Sequence, residues 1–238
     1  GYHSGYWMTT GQYNVLLGAY AGDNLTTGSQ NIAIGYGALG TEDAHGRNVA
    51  IGQAALSTLN AGVDAYNTAV GWSAGMAMST GLFNTIVGGV AGDGLTTGTG
   101  NTIMGHDAGD GITTEDDNTL IGQGAGNAVT SSENTFVGRR SGASATTGDA
   151  NVCIGSGSDV SAAAVANEVN IFNGSVTARF QGAAAAWSFV SDERDKKEIK
   201  DLELGVDFVN KLKPRKFKWD LRNSDVDKDK EASGFVAQ

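Results

Sequence analysis

The feature that most constrains the fold is a five-residue motif, Asn-x-x-x-Gly, which recurs ten times at nearly constant spacing. Successive copies are 16 to 19 residues apart, and most are 17 residues apart. A period this short cannot hold a helical hairpin, so it predicts a solenoid in which each repeat forms one coil. The Asn positions are Asn14, Asn31, Asn48, Asn67, Asn84, Asn101, Asn118, Asn134, Asn151 and Asn170.

The positions inside each repeat predict β-structure. The residue after Asn is Val, Ile or Thr in every copy, and β-branched residues favour extended backbone. The next two positions are mostly apolar. Neighbouring residues of a strand face opposite sides, so this pair predicts a strand that is covered on both faces. Gly closes every copy, at a position suited to a sharp turn or a positive φ.

These patterns together predict a mainly β fold, a parallel β-roll or solenoid of about ten 17-residue coils. Each coil is expected to hold two short strands and two turns. In such a stack the Asn side chains are expected to hydrogen-bond to one another from coil to coil. A 17-residue coil encloses only a thin core, so the second apolar face of the strand must be buried elsewhere, most simply against the same face of another copy.

Composition divides the chain just before Ser191. Residues 1–190 contain no Lys, four Arg and 14 acidic residues, whereas residues 191–238 contain 12 basic and 12 acidic residues. We therefore predict a Gly-rich repeat domain over residues 1–180, a connector over 181–190 and a second domain over 191–238. The acidic, Lys-free first part argues against binding to nucleic acid or to an anionic membrane.

The chain ends also carry expectations about the whole protein. No run of 18 apolar residues exists, so membrane insertion by a helix is not expected. The first residues, GYHSGYW, lack the apolar core of a signal peptide and an initiator Met. The sequence is therefore expected to be an internal piece of a longer protein.

No cofactor or metal is predicted. His3, His45 and His106 are far apart in sequence, and we interpret them as surface residues. The acidic run Glu115–Asp117 lacks the spacing of a calcium loop and is interpreted as a solvated turn. Cys153 stands in a column held elsewhere by Ala, Leu or Phe, which indicates a small buried hydrophobe rather than a nucleophile.

Two further interpretations concern ligands. Trp7, Trp72 and Trp187 are expected either to lie exposed, where they can contact a glycan, or to plug the ends of the roll. An enzyme that degrades host polysaccharide would carry clustered carboxylates on one face of the solenoid. The acidic residues here lie mainly in turns without a repeated pair, so no turnover enzyme is predicted.

The repeat units NIAIGYGA, NVAIGQAA and NTAVGWSA resemble the head repeats of trimeric autotransporter adhesins. The resemblance covers about residues 14–175. It implies a left-handed, trimeric, parallel β-roll, and similar rolls occur in phage fibres. The number three in the expected homotrimer comes from this resemblance and not from the residue pattern.

The segment that begins SDERDKKEIK resembles the start of the peptidase S74 domain, the C-terminal intramolecular chaperone of phage tail spikes and fibres. The family domain is about twice as long as this segment. The matching features are Ser-Asp-x-Arg-x-Lys, an amphipathic helix, Leu-x-Pro before an aromatic strand, and Gly-Phe-Val-Ala-Gln. These fall on Ser191, Asp192, Arg194 and Lys196, on Leu212, Pro214, Phe217 and Trp219, and on Gly234, Phe235 and Gln238.

This resemblance implies that the domain directs trimer assembly and then cuts itself off between Ser191 and Asp192. Ser191 would be the nucleophile and Lys196 the base, with Arg194, Gly234, Phe235 and Gln238 as supporting residues. A neutral Lys base needs a lowered pKa, from burial or from neighbouring cations.

Geometry limits how these two residues can meet. Residues five apart on one helix point about 140° away from each other. Ser191 and Lys196 therefore meet only if the helix begins after Ser191, or if Lys196 comes from a neighbouring chain. The structural alternative is that Ser191 is simply a helix N-cap, followed by favourable acidic residues in the first turn.

The expected function is a structural and host-adhesion segment of a phage tail fibre, located extracellularly on the virion tail. Its expected partners are two further copies of the chain, other tail fibre proteins, and a host cell-surface glycan or protein. The alternative is the head of a bacterial trimeric adhesin that binds host surface ligands.

Overall fold

The structure is a computed structural model that describes residues 1–172, 174–175, 177–181, 188–189, 215–218 and 231–234. The chain divides into two compact units, Gly1–Val190 and Ser191–Gln238. The first unit is mainly β and contains no helix among its described residues. In the part of the chain that the structure describes, no helix has the length and hydropathy needed to cross a lipid bilayer.

The first unit is a parallel β-solenoid, as the repeat predicts, and it has about nine turns. Each turn contributes one three-residue strand, and every strand pairs in parallel and in register with the strand one coil later, for example Ile32 with Val49 and Ile34 with Ile51. The strands are β1 (Val15–Leu17), β2 (Ile32–Ile34), β3 (Val49–Ile51), β4 (Thr68–Val70), β5 (Thr85–Val87), β6 (Thr102–Met104), β7 (Thr119–Ile121), β8 (Thr135–Val137) and β9 (Val152–Ile154).

The prediction of two strands per coil is wrong, because each described coil has one strand and its remaining residues form turns. Backbone hydrogen bonds still join successive coils on the turn side. The Gly92 amide donates to the carbonyl of Ala108 at 2.9 Å, and the Thr96 amide donates to that of Thr113 at 2.7 Å. A 17-residue coil closes within its length by tight turns, which leaves room for a single extended segment.

Left-handed backbone makes these turns. The residue before each ladder Asn has a positive φ, and it is usually not glycine: Tyr66 has φ 53° and Phe83 has φ 57°. A left-handed conformation costs a non-glycine residue about 1–2 kcal/mol. The coils repeat this cost, so the stacked hydrogen bonds must outweigh it at every level.

The regular spacing of the glycine column has a steric cause. Gly35 has φ 133°, and a Cβ placed on it would lie 2.4 Å from the carbonyl oxygen of Gly52 in the next coil. The glycines of this column stack directly on one another along the solenoid. A side chain at this level would collide with the next coil's backbone.

The core is a thin column, and most coils pair a large residue with a small one, although the coil of Ala69 has the small Gly75 at the paired position. Where the middle residue of the strand is Ala33 or Ala50, the residue six positions later is a fully buried Leu. Where the middle residue is Ile103 or Phe136, the same later position is Gly. A Cβ on Gly142 would lie 2.2 Å from the Phe136 ring, which shows that glycine here makes space for the large side chain.

The tenth motif copy is out of register with the other nine. Strand β10 (Glu168–Phe172) pairs with β9 so that Asn170 lies opposite Cys153, in the core column. Glu168, not Asn170, occupies the Asn level, because its backbone amide donates to Asn151 Oδ1 at 2.9 Å. The tenth motif copy therefore does not mark the Asn level of a further coil.

The solenoid ends by a change of strand direction. Strand β11 (Thr177–Gln181) runs antiparallel to β10, and β12 (Ser188–Phe189) runs antiparallel to β11. The fully buried Glu168 carboxylate lies 3.1 Å from the guanidinium of Arg179 on β11. This ion pair compensates the negative charge of Glu168, which stands at the level where the other coils have Asn.

The second unit contains two described strands, β13 (Arg215–Lys218) and β14 (Glu231–Gly234). They pair antiparallel, with Arg215 opposite Gly234 and Phe217 opposite Ala232. A strand thus follows Pro214, as the resemblance to the S74 family implies. The predicted helix, with its apolar residues Ile199, Leu202, Val206 and Val209, lies outside the described residues.

Candidate functional site: an apolar outer face and a C-terminal processing motif

The Asn residues of the repeat motif, which we call the Asn column, are mostly buried and link successive coils by hydrogen bonds. Asn101 Nδ2 donates to the Glu115 carbonyl at 2.8 Å, and its Oδ1 accepts from the backbone amide of Asn118 at 2.9 Å. The predicted ladder therefore exists but is mainly side chain to backbone. Direct contacts between Asn side chains occur at two levels, Asn101 to Asn84 and Asn134 to Asn118. These buried amides have a structural role and do not face a ligand.

The outer face of the parallel sheet carries an apolar column along the whole solenoid. The middle residue of each strand faces the core, so the residues on either side of it face outward. We call the third residue of each strand the outer apolar column. Its members are Leu17, Ile34, Ile51, Val70, Val87, Met104, Ile121, Val137 and Ile154, with Ile171 continuing it on β10.

The outer apolar column is only partly covered in the single chain. Leu17 is 62% exposed, Met104 is 42% exposed and Ile154 is 41% exposed. The other members on β2–β8 are half-buried, because the residues above and below shield them. At the strand spacing of about 4.8 Å, ten levels extend over about 43 Å. A continuous apolar stripe of this length is typical of an interaction surface.

Aromatic side chains lie on the turns that flank the strands. Tyr66 and Phe83, which directly precede two ladder Asn residues, stack at 5.8 Å between ring centroids, and Arg47 lies 5.1 Å from the Tyr66 ring centre. On the other side, directly after the glycine column, Tyr36 is 59% exposed and Trp72 is 57% exposed. These aromatic rings lie outside the core, on the turns at either end of the strands.

Of Trp7, Trp72 and Trp187, the first two lie within the described residues, and both are exposed. Trp7 is 58% exposed and packs edge-on against Tyr6, while Trp72 is also exposed, so neither side chain plugs the core. Trp187 lies outside the described residues. Trp7 belongs to an aromatic group at the first coil that also contains Tyr2, His3 and Tyr20.

One polar cavity opens on the turn side of the described solenoid, with a volume of about 130 Å³. Burial, together with the charges of Asp110 and Asp107, raises the pKa of nearby Asp93. Sequence reasoning missed this site because its residues come from different coils and share no motif. The residues that line it are Asp107, Asp110, Gln123, Gly124, Asn127 and Arg140.

Cys153 is a buried structural residue, as predicted. Its side chain is fully enclosed in the core column. Burial is the main cause that raises the pKa of the Cys153 thiol to about 12, with smaller effects from the carboxylates of Asp159 and Glu168. A thiol that stays protonated and enclosed is not a nucleophile at neutral pH.

The predicted processing residues are not placed relative to one another. Ser191, Asp192, Arg194, Lys196, Phe235 and Gln238 lie outside the described residues, and Gly234 is the last residue of β14. Their roles remain predictions from the resemblance.

Two buried carboxylates were missed at the sequence level. Glu168 and Glu42 are both fully buried, although charged side chains are rarely buried without a partner. Glu42 could have been found, because it interrupts a column of aliphatic residues that otherwise repeats in each coil.

Comparison with known proteins finds a family similarity for the second unit. Residues 191–238 match the family model Peptidase_S74, described as chaperone of endosialidase. The match begins at Ser191, the residue at which composition changes. No curated protein and no solved structure matches the chain. The chain is thus a parallel β-solenoid followed by a segment that is similar to the chaperone-of-endosialidase family.

Proposed function

We propose that this chain is a segment of a phage-type tail fibre, in which three copies of the solenoid form the shaft and the C-terminal segment directs their assembly. Two independent features support the proposal. One is the outer apolar column, which a lone chain leaves partly exposed. The other is the match of residues 191–238 to the chaperone-of-endosialidase family.

The outer apolar column carries the assembly argument. The column is present at every level, so a partner that covers it must lie alongside the solenoid over its full length. A second copy of the same chain offers the same periodicity, and most soluble oligomers are closed symmetric assemblies of identical chains. Three copies about a central axis would bury all three columns together, and the resemblance to trimeric rolls supplies the number.

Parallel assembly of three long solenoids has a kinetic difficulty that a chaperone domain would solve. Coils that differ by a few residues offer near-equivalent registers, so chains can associate out of alignment. A C-terminal domain that trimerises first would fix one register before the apolar columns meet. Hydrolysis of the Ser191–Asp192 peptide bond, which consumes one water molecule and in which Ser191 and Lys196 are the predicted nucleophile and base, would then make assembly irreversible.

The assembly proposal is tested by native mass spectrometry of the full chain and of charged variants on the outer column. Met104→Lys with Ile121→Lys places two like charges on the proposed interface. Val63→Lys with Met76→Lys is the matched control, because both residues are apolar, partly exposed and outside the strands. We expect a trimer for wild type and the control, and loss of the trimer for the outer-column variant. A monomeric wild type, or a trimer in both variants, would contradict the proposal.

The processing proposal is tested by denaturing intact mass of the protein with a complete C-terminal domain. Wild type should yield a chain that ends at Ser191, while Ser191→Ala and Lys196→Ala should stay uncut. An uncut wild type would mean that the segment acts as a retained trimerisation cap. Cleavage that persists in both variants would exclude the Ser–Lys assignment.

Host adhesion is the second part of the proposed function. The exposed rings of Tyr36 and Trp72 and the polar cavity that contains Asp107 and Arg140 provide apolar and hydrogen-bonding groups that suit a glycan. Retention on a host-glycan array that falls in Trp72→Ala and Arg140→Ala would support this role. The bacterial adhesin alternative shares the same solenoid, so the genomic context of an anchor domain or a virion-attachment domain would separate the two.

A further inference from the structure

One turn of the solenoid breaks two columns of the repeat at once. In most coils the turn after the strand begins with a buried aliphatic residue, such as Leu25 or Leu95, and three residues later has a Gly, such as Gly28 or Gly98. In the second coil these two levels hold Glu42 and His45. Both replacements introduce metal-ligating groups.

The burial of Glu42 is the unusual feature of this turn. Its side chain is fully buried, in a column otherwise filled by Leu, Met, Ile, Val and Ala. Its Oε1 accepts from the His45 amide at 3.3 Å and its Oε2 from the Ala61 amide at 3.5 Å. These distances are longer than ordinary N–H···O bonds, so the carboxylate is weakly compensated by protein donors.

The imidazole of His45 completes the arrangement. Its Nδ1 lies 3.7 Å from Glu42 Oε1. This nitrogen is enclosed, yet it has no hydrogen-bond partner within the described part of the chain. One ligand atom each from Glu42, Asp43 and His45 fall within 4.8 Å of one another. A buried, unpartnered nitrogen facing a buried carboxylate is the pattern expected where a third species belongs between them.

We propose that Glu42, Asp43 and His45 bind a divalent first-row transition metal ion, with Zn²⁺ as the representative probe. Ligand atoms around a tetrahedral Zn²⁺ lie about 3.3 Å apart, given bonds of about 2.0–2.1 Å, so the 3.7 Å pair needs only a small adjustment. Imidazole with carboxylates suits zinc and its neighbours, whereas magnesium and calcium prefer oxygen ligands alone. Water would complete the coordination.

The ion would lock the turn of the second coil and compensate the buried carboxylate. This role does not depend on the trimer or on the chaperone segment, because all three ligands come from four consecutive residues of one chain. The three histidines are far apart in the sequence and form no cluster with one another, so His45 looks like a surface residue when only histidines are compared. The other ligands are carboxylates that lie within three residues of His45 in the sequence.

The test is a zinc titration of the chelator-treated full chain by isothermal calorimetry. Glu42→Leu and His45→Gly restore the residues found at the same levels of other coils, so both variants are expected to fold. His106→Asn is the matched control, because His106 lies 3.1 Å from the Asp107 carboxylate but is 63% exposed. We expect one zinc per wild-type chain, and binding at least tenfold weaker in Glu42→Leu and His45→Gly.

Zinc should also raise the melting temperature of wild type and His106→Asn, and should leave that of the two repeat-restoring variants unchanged. Absence of zinc uptake by wild type would overturn the proposal. Equal zinc affinity in wild type, Glu42→Leu and His45→Gly would also overturn it.

Discussion

The side-chain Oδ1 of Asn84 lies 2.9 Å from the backbone nitrogen of Asn101, one coil later, and accepts its hydrogen bond. The Nδ2 of the same Asn84 donates to the carbonyl of Gly98 at 2.8 Å. Both asparagines are fully buried. The side chain of Asn84 therefore links its own coil to both the strand and the turn of the following coil. The motif repeats because each coil needs these two hydrogen bonds to the next.

Replacing one ladder asparagine should be costly. Asn84→Ala leaves the Asn101 amide and the Gly98 carbonyl without partners in a buried position. Each such orphaned group costs about 1–3 kcal/mol, so we expect a clear fall in the melting temperature measured at fixed protein concentration. Asn60→Ala, at an exposed position, is the control and should change the melting temperature little. Equal effects of the two substitutions would argue against the ladder.

Two glycines of one coil should tolerate alanine very differently. Gly35→Ala places a Cβ 2.4 Å from the Gly52 carbonyl oxygen, and the nearest atoms it meets all belong to the backbone of the next coil, which cannot rotate away as a side chain could. We expect destabilisation of about 4 kcal/mol or more, or failure to fold. Gly37 also has a positive φ, 64°, but nothing lies within 4 Å of its Cβ position. Gly37→Ala should therefore cost only about 1–2 kcal/mol, from backbone strain alone.

Melting temperatures of the two variants and wild type, followed by circular dichroism, check this difference. If both substitutions shift the melting temperature by the same amount, the close stacking of the glycine column is not what limits that position. Comparable yields of folded protein for both variants would lead to the same conclusion.

Asp93 should make stability depend on pH. Burial and the neighbouring charges of Asp110 and Asp107 raise its pKa in the folded chain above the ordinary value of 3.8. The folded state therefore holds the proton more tightly than the unfolded state, and its stability falls as the pH rises through the folded pKa. Asp93→Asn should raise the melting temperature at neutral pH, and this gain should disappear below about pH 3.8.

A melting series from pH 3 to pH 8 tests the sign. Glu133→Gln is the control, because it removes one negative charge from a turn residue of the same solenoid that lies outside the carboxylate cluster. If Asp93→Asn and Glu133→Gln give the same pH dependence, the effect reflects the net charge of −10 rather than the carboxylate cluster.

The repeat predicts most of the fold because each column has a local physical cause. β-branched residues after Asn indicate the strand, and the glycine column indicates close coil stacking, so the parallel solenoid follows from pattern alone. The single strand per coil does not follow, because left-handed residues such as Tyr66 and Phe83 make the turns. Glycine in a sequence indicates a possible left-handed backbone, whereas Tyr and Phe do not.

The candidate sites are less predictable because they depend on exceptions to the pattern or on residues that come from different coils. Asn170 satisfies the motif, yet the strand shifts by two residues so that Glu168 can pair with Arg179 on β11. Nothing local distinguishes these two registers. Glu42 is the opposite case, since a charged residue in an otherwise aliphatic column of the repeat stands out in the amino-acid sequence itself.

Cys153 should report opening of the solenoid core. Its side chain is fully buried and the thiol pKa is raised to about 12, mainly by burial, so both access and ionisation oppose reaction. At pH 8 only about one thiol in 10⁴ would be ionised, and the fraction follows directly from the pKa. We expect the native protein to react with a disulfide reagent more than 100-fold more slowly than the protein in guanidinium chloride.

The matched control for this labelling is Ser156→Cys, which places a second thiol three residues later at an exposed position of the same coil. One thiol of that variant should react at once and the other only on unfolding. The slow thiol should label at the rate at which β8 and β9 separate, because Cys153 becomes accessible only when its coil leaves the stack. Rapid labelling of both thiols in the native state would mean that the last coils open freely and that Glu168 and Arg179 do not close the solenoid.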